Sequence, residues 1–171
     1  MTTLMVYAGA AADDDAEITR TGGIPLVPAE FNWPLCRACQ GPMQFLAQVM
    51  SGDRGMGEQR AVLSVFTCQN DPGLCDEWDA AAGGNQALIF PADGLVPAVV
   101  PAGPATLLGE VSAVQYVTVN ENYDQARRTW AGREGRSVSD VLGRPAASRV
   151  GCKPTKHLSA RSAPSLLWQC T

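Results

Sequence analysis

Two pairs of cysteines flank two neighbouring segments with strand character, and this arrangement limits what the chain can fold into. The segments are 43–49, which follows Cys36 and Cys39, and 61–66, which precedes Cys68 and Cys75. Alternating or β-branched apolar residues predict strands, and the polar, glycine-rich stretch 51–59 predicts a hairpin loop between them. Antiparallel pairing places the start of the first strand beside the end of the second. Both cysteine pairs are therefore expected at the same end of the hairpin.

Four thiols gathered in this way predict a metal site. Closed structural zinc sites use four tetrahedral ligands, often thiolates. The C-x-x-C spacing of Cys36 and Cys39 is usual for a zinc knuckle, and the spacing of Cys68 and Cys75 is looser. We predict that these four residues bind a structural zinc ion. Two alternatives stay open: Cys68 and Cys75 are ordinary buried thiols, or the C-x-x-C is a redox motif, although a strand and not a helix follows it.

The rest of the body predicts a mainly β, β-rich α+β fold with few helices. Antiparallel strands are expected to be joined by long Gly/Pro loops, with the cysteine-bearing loops in one cluster. A third strand is predicted at 86–90, and Gly22-Gly23-Ile24-Pro25 predicts a turn into an extended segment. The sequence assigns 126–142 to neither a helix nor a strand.

The composition of the chain changes abruptly near Gly143. The first 140 residues contain 17 acidic residues and eight arginines but no lysine or histidine, whereas the last 31 contain no acidic residue. Both lysines, Lys153 and Lys156, and the single histidine, His157, fall in that last part. The segment 144–171 is therefore an atypical basic tail.

A shifted reading frame accounts for this tail. When each codon begins at the third base of the preceding one, residues 145–163 can encode GGKPGWLQADETPVCPVC. Residues 22–39 read GGIPLVPAEFNWPLCRAC, with the same distance between GG-x-P and P-[LV]-C-x-x-C. We predict a native protein with two related halves, of which this chain carries one half and a frameshifted remnant of the second repeat. A basic, partly disordered tail is the alternative.

Charge and hydropathy argue against several classes of partner. Residues 1–143 carry 17 acidic residues against eight arginines, a charge of −9, which disfavours binding to nucleic acid. No segment approaches the roughly 20 apolar residues that span a bilayer, and the N-terminus lacks the basic start of a secretory signal. We expect a cytoplasmic protein that contacts no membrane. Residues 1–20 are expected to form an acidic N-terminal arm beside a domain at 21–143.

Catalytic chemistry has little support in the body of the chain. The absence of histidine before residue 144 excludes Ser-His and Cys-His nucleophile pairs there. Four carboxylates near Trp78 could perform acid–base work, but a solvated acidic loop with Asx-type turns fits them better. These residues are Asp71, Asp76, Glu77 and Asp79. Phe31, Trp33 and Trp78 are expected to pack around the cysteine site.

Four stretches resemble the bacterial YwqG-like family, also called domain of unknown function 1963. They are GGIPLVP, WPLCRACQGPMQFLAQV, LSVFTCQNDPGLCDEWD and GGNQALIF. The cysteine pattern is also similar to that of the programmed-cell-death-protein-2 family, which has a duplicated cysteine-bearing β module and acts as a ribosomal-protein chaperone. The resemblance covers about residues 21–91. It implies a mainly β fold without established catalytic activity, and its cysteine pattern carries over to Cys36, Cys39, Cys68 and Cys75.

These features predict a non-enzymatic, zinc-stabilised bacterial module that binds another protein. The acidic body suits a basic partner, and the module could act as an immunity-type protein against a toxin or as a chaperone, by analogy. The alternative is a metal- or thiol-dependent enzyme that uses the loop 68–78. Loss of a second repeat would leave an exposed edge or apolar patch, which favours a homodimer or marginal stability.

Overall fold

The computed structural model describes residues 1–9, 12–13, 16–50, 60–79 and 81–145. The strands are β1 (Thr2–Tyr7), β2 (Arg20–Thr21), β3 (Leu26–Val27), β4 (Gln44–Met50), β5 (Ala61–Thr67), β6 (Asn85–Pro91), β7 (Val96–Pro97), β8 (Ser112–Val119) and β9 (Val141–Gly143). The α-helix is α1 (Tyr123–Glu134), and 3-10 turns occupy Pro104–Thr106 and Val138–Asp140. Seven strands form one sheet in the order β6-β5-β4-β2-β8-β1-β9, and β3 pairs with β7.

The predicted mainly β, antiparallel fold class is confirmed. The three strands predicted from the sequence are β4, β5 and β6, which pair consecutively and antiparallel. Phe45 lies opposite Phe66, and a bulge between Phe45 and Ala47 shifts the register of β4. The bulge keeps the apolar ring of Phe45 on the same side of the sheet as Gln48, which faces Ser64.

The prediction of an N-terminal arm is wrong for residues 2–7, because this segment is a strand inside the sheet. β1 pairs along its whole length with β8, and on its other side with β9. Leu4 and Val6 are completely buried. Alternation places both side chains on one face of the sheet, where they pack into a hydrophobic core.

The helix α1 covers the β1 end of the sheet. Asn122 begins it, with a side-chain oxygen that accepts a hydrogen bond from the Gln125 backbone N–H, and Gly135 ends it in the left-handed conformation at φ 63°. Its inward side chains and those of the sheet form one core cluster: Leu4, Val6, Ala126, Trp130, Ala131 and Val141. The helix lies partly in the segment 126–142 that the sequence left unassigned. Few apolar residues mark its inner face, which explains the weak sequence pattern.

The buried Arg20 side chain fixes the turn that leads from β2 toward the cysteines. Its guanidinium donates hydrogen bonds to the backbone carbonyl oxygens of Ala16, Gly22 and Ile24. The same group lies 5.9 Å from the centroid of the Phe45 ring. The predicted turn at the glycine pair is thus attached to the strand that follows the first cysteine pair.

Two sequence predictions lie wholly or partly outside the described residues. The hairpin loop 51–59 is one, and all but the first two residues of the tail 144–171, with its frameshift, are the other. Within the described ranges, no helix combines the length and the apolar character needed to cross a membrane.

Candidate metal centre

The four cysteines predicted as ligands come together at one end of the β4–β5 hairpin. Their Sγ atoms all lie within 4.8 Å of one another, and those of Cys39 and Cys68 are 3.7 Å apart. Cys36, Cys68 and Cys75 are buried, and Cys39 is partly exposed. The predicted gathering of both pairs is confirmed, and the four free thiols are close enough to hold one metal ion.

A tight turn between Leu35 and Pro42 presents the first pair. The Cys36 backbone N–H donates to the carbonyl oxygen of Gly41 at 2.8 Å, and the Gln40 N–H donates to the Cys36 carbonyl at 2.9 Å. Leu35 and Pro42 form an isolated bridge that closes the turn. Gln40 has a left-handed φ of 60°, which reverses the chain directly after Cys39. This backbone arrangement points two cysteines that are separated by two residues toward one centre.

The second pair is supplied by the end of β5 and the loop after it. Asp76 directly follows Cys75 and has a φ of 48°. Each cysteine pair is thus followed by a residue in the left-handed conformation, Gln40 after the first pair and Asp76 after the second. The turn before β6 holds both cysteine loops together, because two consecutive carbonyls accept from them. Gly83 accepts from the Arg37 N–H at 3.0 Å, and Gly84 accepts from the Cys68 N–H at 2.7 Å.

Asn70 is a supporting residue that the sequence analysis missed. Its Nδ2 atom donates to the Cys68 Sγ atom at 3.3 Å and to the Pro42 carbonyl oxygen at 3.1 Å. One side chain therefore connects a thiol of the second pair to the backbone after the first pair. Partners of this kind orient metal ligands. The available signal was the position of an asparagine two residues after a predicted ligand.

The thiols lie so close together that the pKa of Cys68 is lowered, whereas the pKa values of Cys39 and Cys75 are raised. Burial raises the pKa of the Cys68 thiol, but hydrogen bonds from the Asn70 side chain and backbone and from two neighbouring thiols outweigh it and lower that pKa to about 7. Burial and the other thiols raise the pKa of Cys75. A Gly41 backbone hydrogen bond lowers the pKa of Cys39, but burial and neighbouring thiols raise it more. Crowded thiols resist ionising together, and a bound dication would stabilise all four thiolates.

Aromatic side chains enclose the inner side of the site. Phe31 and Trp33 pack in an edge-to-face manner at 6.1 Å, and Trp33 packs against Phe66 at 5.5 Å. The Trp33 indole N–H donates to the Met43 carbonyl oxygen at 2.7 Å. Packing of Phe31 and Trp33 around the cysteines was predicted correctly. The same prediction is wrong for Trp78, which is 93% exposed because it lies on the outer side of the loop after Cys75.

The spacing of the four sulfurs is compatible with a zinc ion. Zn–S bonds of about 2.3 Å give a tetrahedron with edges of about 3.8 Å, close to the 3.7 Å between the Cys39 and Cys68 sulfurs. Among the described residues, no other group of His, Cys, Asp and Glu side chains has metal-binding geometry. The acidic residues of the loop 71–79 therefore do not converge as a second such site. Four sulfur ligands form a closed set, which is typical of a structural ion.

Comparison of the chain with family models, with curated proteins and with solved structures found no match.

Proposed function

We propose that this protein is a non-enzymatic, zinc-stabilised module that binds another protein in the cytoplasm. The observation that supports it best is the set of four Sγ atoms within 4.8 Å of one another. A zinc ion held by Cys36, Cys39, Cys68 and Cys75 would link the start of β4, the end of β5 and the loop beyond. Such an ion contributes directly to folding stability.

A structural role for the metal is supported by the closed ligand set. Catalytic zinc sites keep one position for water or substrate, and here all four positions are taken by sulfur. A thiol enzyme is the second candidate, and the lowered pKa of Cys68 favours it. However, Cys68 is only 1% exposed, so its sulfur offers almost no surface to a substrate. A binding module therefore accounts for the site better than an enzyme does.

The similarity of the cysteine pattern to that of the programmed-cell-death-protein-2 family, whose members act as chaperones, supports a protein-binding role by analogy. The acidic body suits a basic partner, as an immunity-type protein or a chaperone would require. We propose further that the native protein has a second, related repeat, which the shifted reading frame of residues 145–163 would encode. A chain that carries one repeat would be marginally stable or form a homodimer.

Metal analysis of the purified protein tests the zinc proposal. We expect one zinc ion per chain in the wild type and its loss in Cys36→Ser. Cys152→Ser is the matched control, because it removes a cysteine that is not one of the four proposed ligands, and it should retain the metal. A wild-type protein without metal, with a melting temperature that a chelator does not change, would refute the proposal.

A further inference from the structure

The loop that carries the second cysteine pair presents two large apolar side chains to solvent. We call residues 69–79 the acidic loop. Leu74 is 80% exposed and Trp78 is 93% exposed. Exposed tryptophan is uncommon on protein surfaces, and tryptophan is enriched among the residues that dominate binding energy at interfaces.

The acidic loop holds these side chains on an ordered backbone. The Leu74 N–H donates to the Asp71 carbonyl at 3.0 Å, and the Gly73 N–H donates to Glu77 Oε1 at 2.6 Å. Asn85 Nδ2 donates to the Glu77 carbonyl at 2.6 Å. Cys68 and Cys75 attach the loop to the sulfur cluster. The loop is thus preorganised, which lowers the entropic cost of binding.

Three acidic side chains line a surface depression together with the exposed tryptophan, and a fourth lies in the same loop. Asp71, Asp76, Glu77 and Asp79 lie in the loop, and none of them forms an ion pair within the described part of the chain. An open depression of about 600 Å³ beside Trp78 is lined by Gly73, Asp76, Glu77, Trp78 and Asp79. Glu77 Oε2 is shielded from solvent and accepts no hydrogen bond from the described residues. Glu77 therefore contributes to this surface through its negative charge and not as an accessible hydrogen-bond acceptor.

We propose that the acidic loop is the surface that docks a basic protein partner, with an arginine or lysine of the partner over the Trp78 ring and an apolar side chain against Leu74. This inference rests on the proposed binding function and specifies its surface. A cation over an indole ring is attracted by the ring quadrupole, and the surrounding carboxylates complement its charge. The acidic loop itself supplies no cation to occupy this position.

Charge complementarity also favours a basic partner over other molecules that could bind the acidic loop. An acidic or nucleic-acid ligand would be repelled by the four carboxylates. A second copy of the chain would bring the same acidic loop to a symmetric contact, since a two-fold interface pairs identical patches. Like charges would then face each other, which disfavours that dimer.

Peptide binding to the intact zinc-loaded protein tests the inference. The probe is a fluorescently labelled peptide that alternates arginine and leucine, and two matched peptides replace every arginine by glutamine or every leucine by serine. Fluorescence anisotropy is measured for the wild type and for Trp78→Ala, with Val99→Ala as the control because Val99 is also 93% exposed. Asp76→Asn and Asp79→Asn together are compared with Asp93→Asn. Zinc content and melting temperature are measured on the same samples.

We expect Trp78→Ala to weaken binding of the arginine–leucine peptide by roughly tenfold or more, and the double Asn variant to weaken it and flatten its salt dependence. Both controls should bind as the wild type does, and both matched peptides should bind more weakly. Equal binding by Trp78→Ala and the wild type, equal loss in Val99→Ala, or no binding at all would overturn the inference. So would a wild-type dimer that Trp78→Ala dissociates. If the protein contains no zinc but still binds the peptide through Trp78, the proposed zinc site is refuted and the docking surface is not.

Discussion

Gly84 and Cys75 approach so closely that a Cβ atom on Gly84 would lie 2.2 Å from the Cys75 carbonyl oxygen. This distance is shorter than any real contact, so a side chain at residue 84 must displace the backbone of a proposed ligand. We expect Gly84→Ala to destabilise the protein by about 1–3 kcal/mol, as overpacked substitutions do. The melting temperature should fall by roughly 2–12 °C, and zinc affinity should fall with it. An unchanged melting temperature and zinc affinity would show that the loop can shift without cost.

Gly132 lies within the exposed side of α1 and provides the opposite case. No neighbouring atom outside the helix backbone lies within 4 Å of a Cβ built there. Alanine loses less backbone conformational entropy than glycine when the helix folds. We expect Gly132→Ala to stabilise the protein by up to about 1 kcal/mol, measured by urea denaturation. A destabilised variant would mean that this side of the helix is covered.

Removal of the metal should lower stability through mass action. A ligand at about 1,000 times its dissociation constant stabilises the folded state by about 4 kcal/mol, which corresponds to roughly 8–16 °C in melting temperature for a chain of this size. We expect a chelator to lower the melting temperature by this order and added zinc to restore it. In Cys36→Ser, the chelator should have little further effect, which serves as the control.

Asn70 should tune the site without being a ligand. Asn70→Ala removes the donor to the Cys68 sulfur and should lower zinc affinity by roughly 10- to 100-fold, as for other residues that orient ligands. Competition with a chromophoric chelator measures this affinity. Asn120→Ala, which changes an exposed asparagine at the end of β8, should leave it unchanged. Equal affinities for Asn70→Ala and the wild type would assign Asn70 a purely structural role.

Resequencing of the gene from codon 130 into its flanking region tests the predicted frameshift. We expect the shifted frame to stay open and to encode Gly-Gly-x-Pro followed by Trp-Leu-Gln. A stop codon early in that frame would contradict the two-repeat prediction. The basic tail would then be native, and His157 and the two lysines would become candidate contacts.

The sequence predicted the structure best where a local pattern of apolar residues determines a strand and its neighbour. Apolar patterns predicted the strands β4, β5 and β6, and antiparallel pairing of the first two alone placed Cys36 and Cys39 near Cys68 and Cys75. The strands β1 and β8 were not predicted, because their pairing joins residues more than 100 positions apart, as between Thr2 and Val119. Trp78 was placed inside because its residue type favours burial, whereas the turn at Asp76 directs the following residues outward.

The position of β1 between β8 and β9 has a consequence for the order of events during synthesis. β1 leaves the ribosome before its two neighbours in the sheet, which end at Val119 and Gly143. Until they emerge, Leu4 and Val6 have no core to join, and both edges of the strand stay open. The metal-binding hairpin, whose last cysteine is Cys75, can fold during this interval. If the four cysteines bind zinc as proposed, we expect the nascent chain to bind the ion before β1 is held in place.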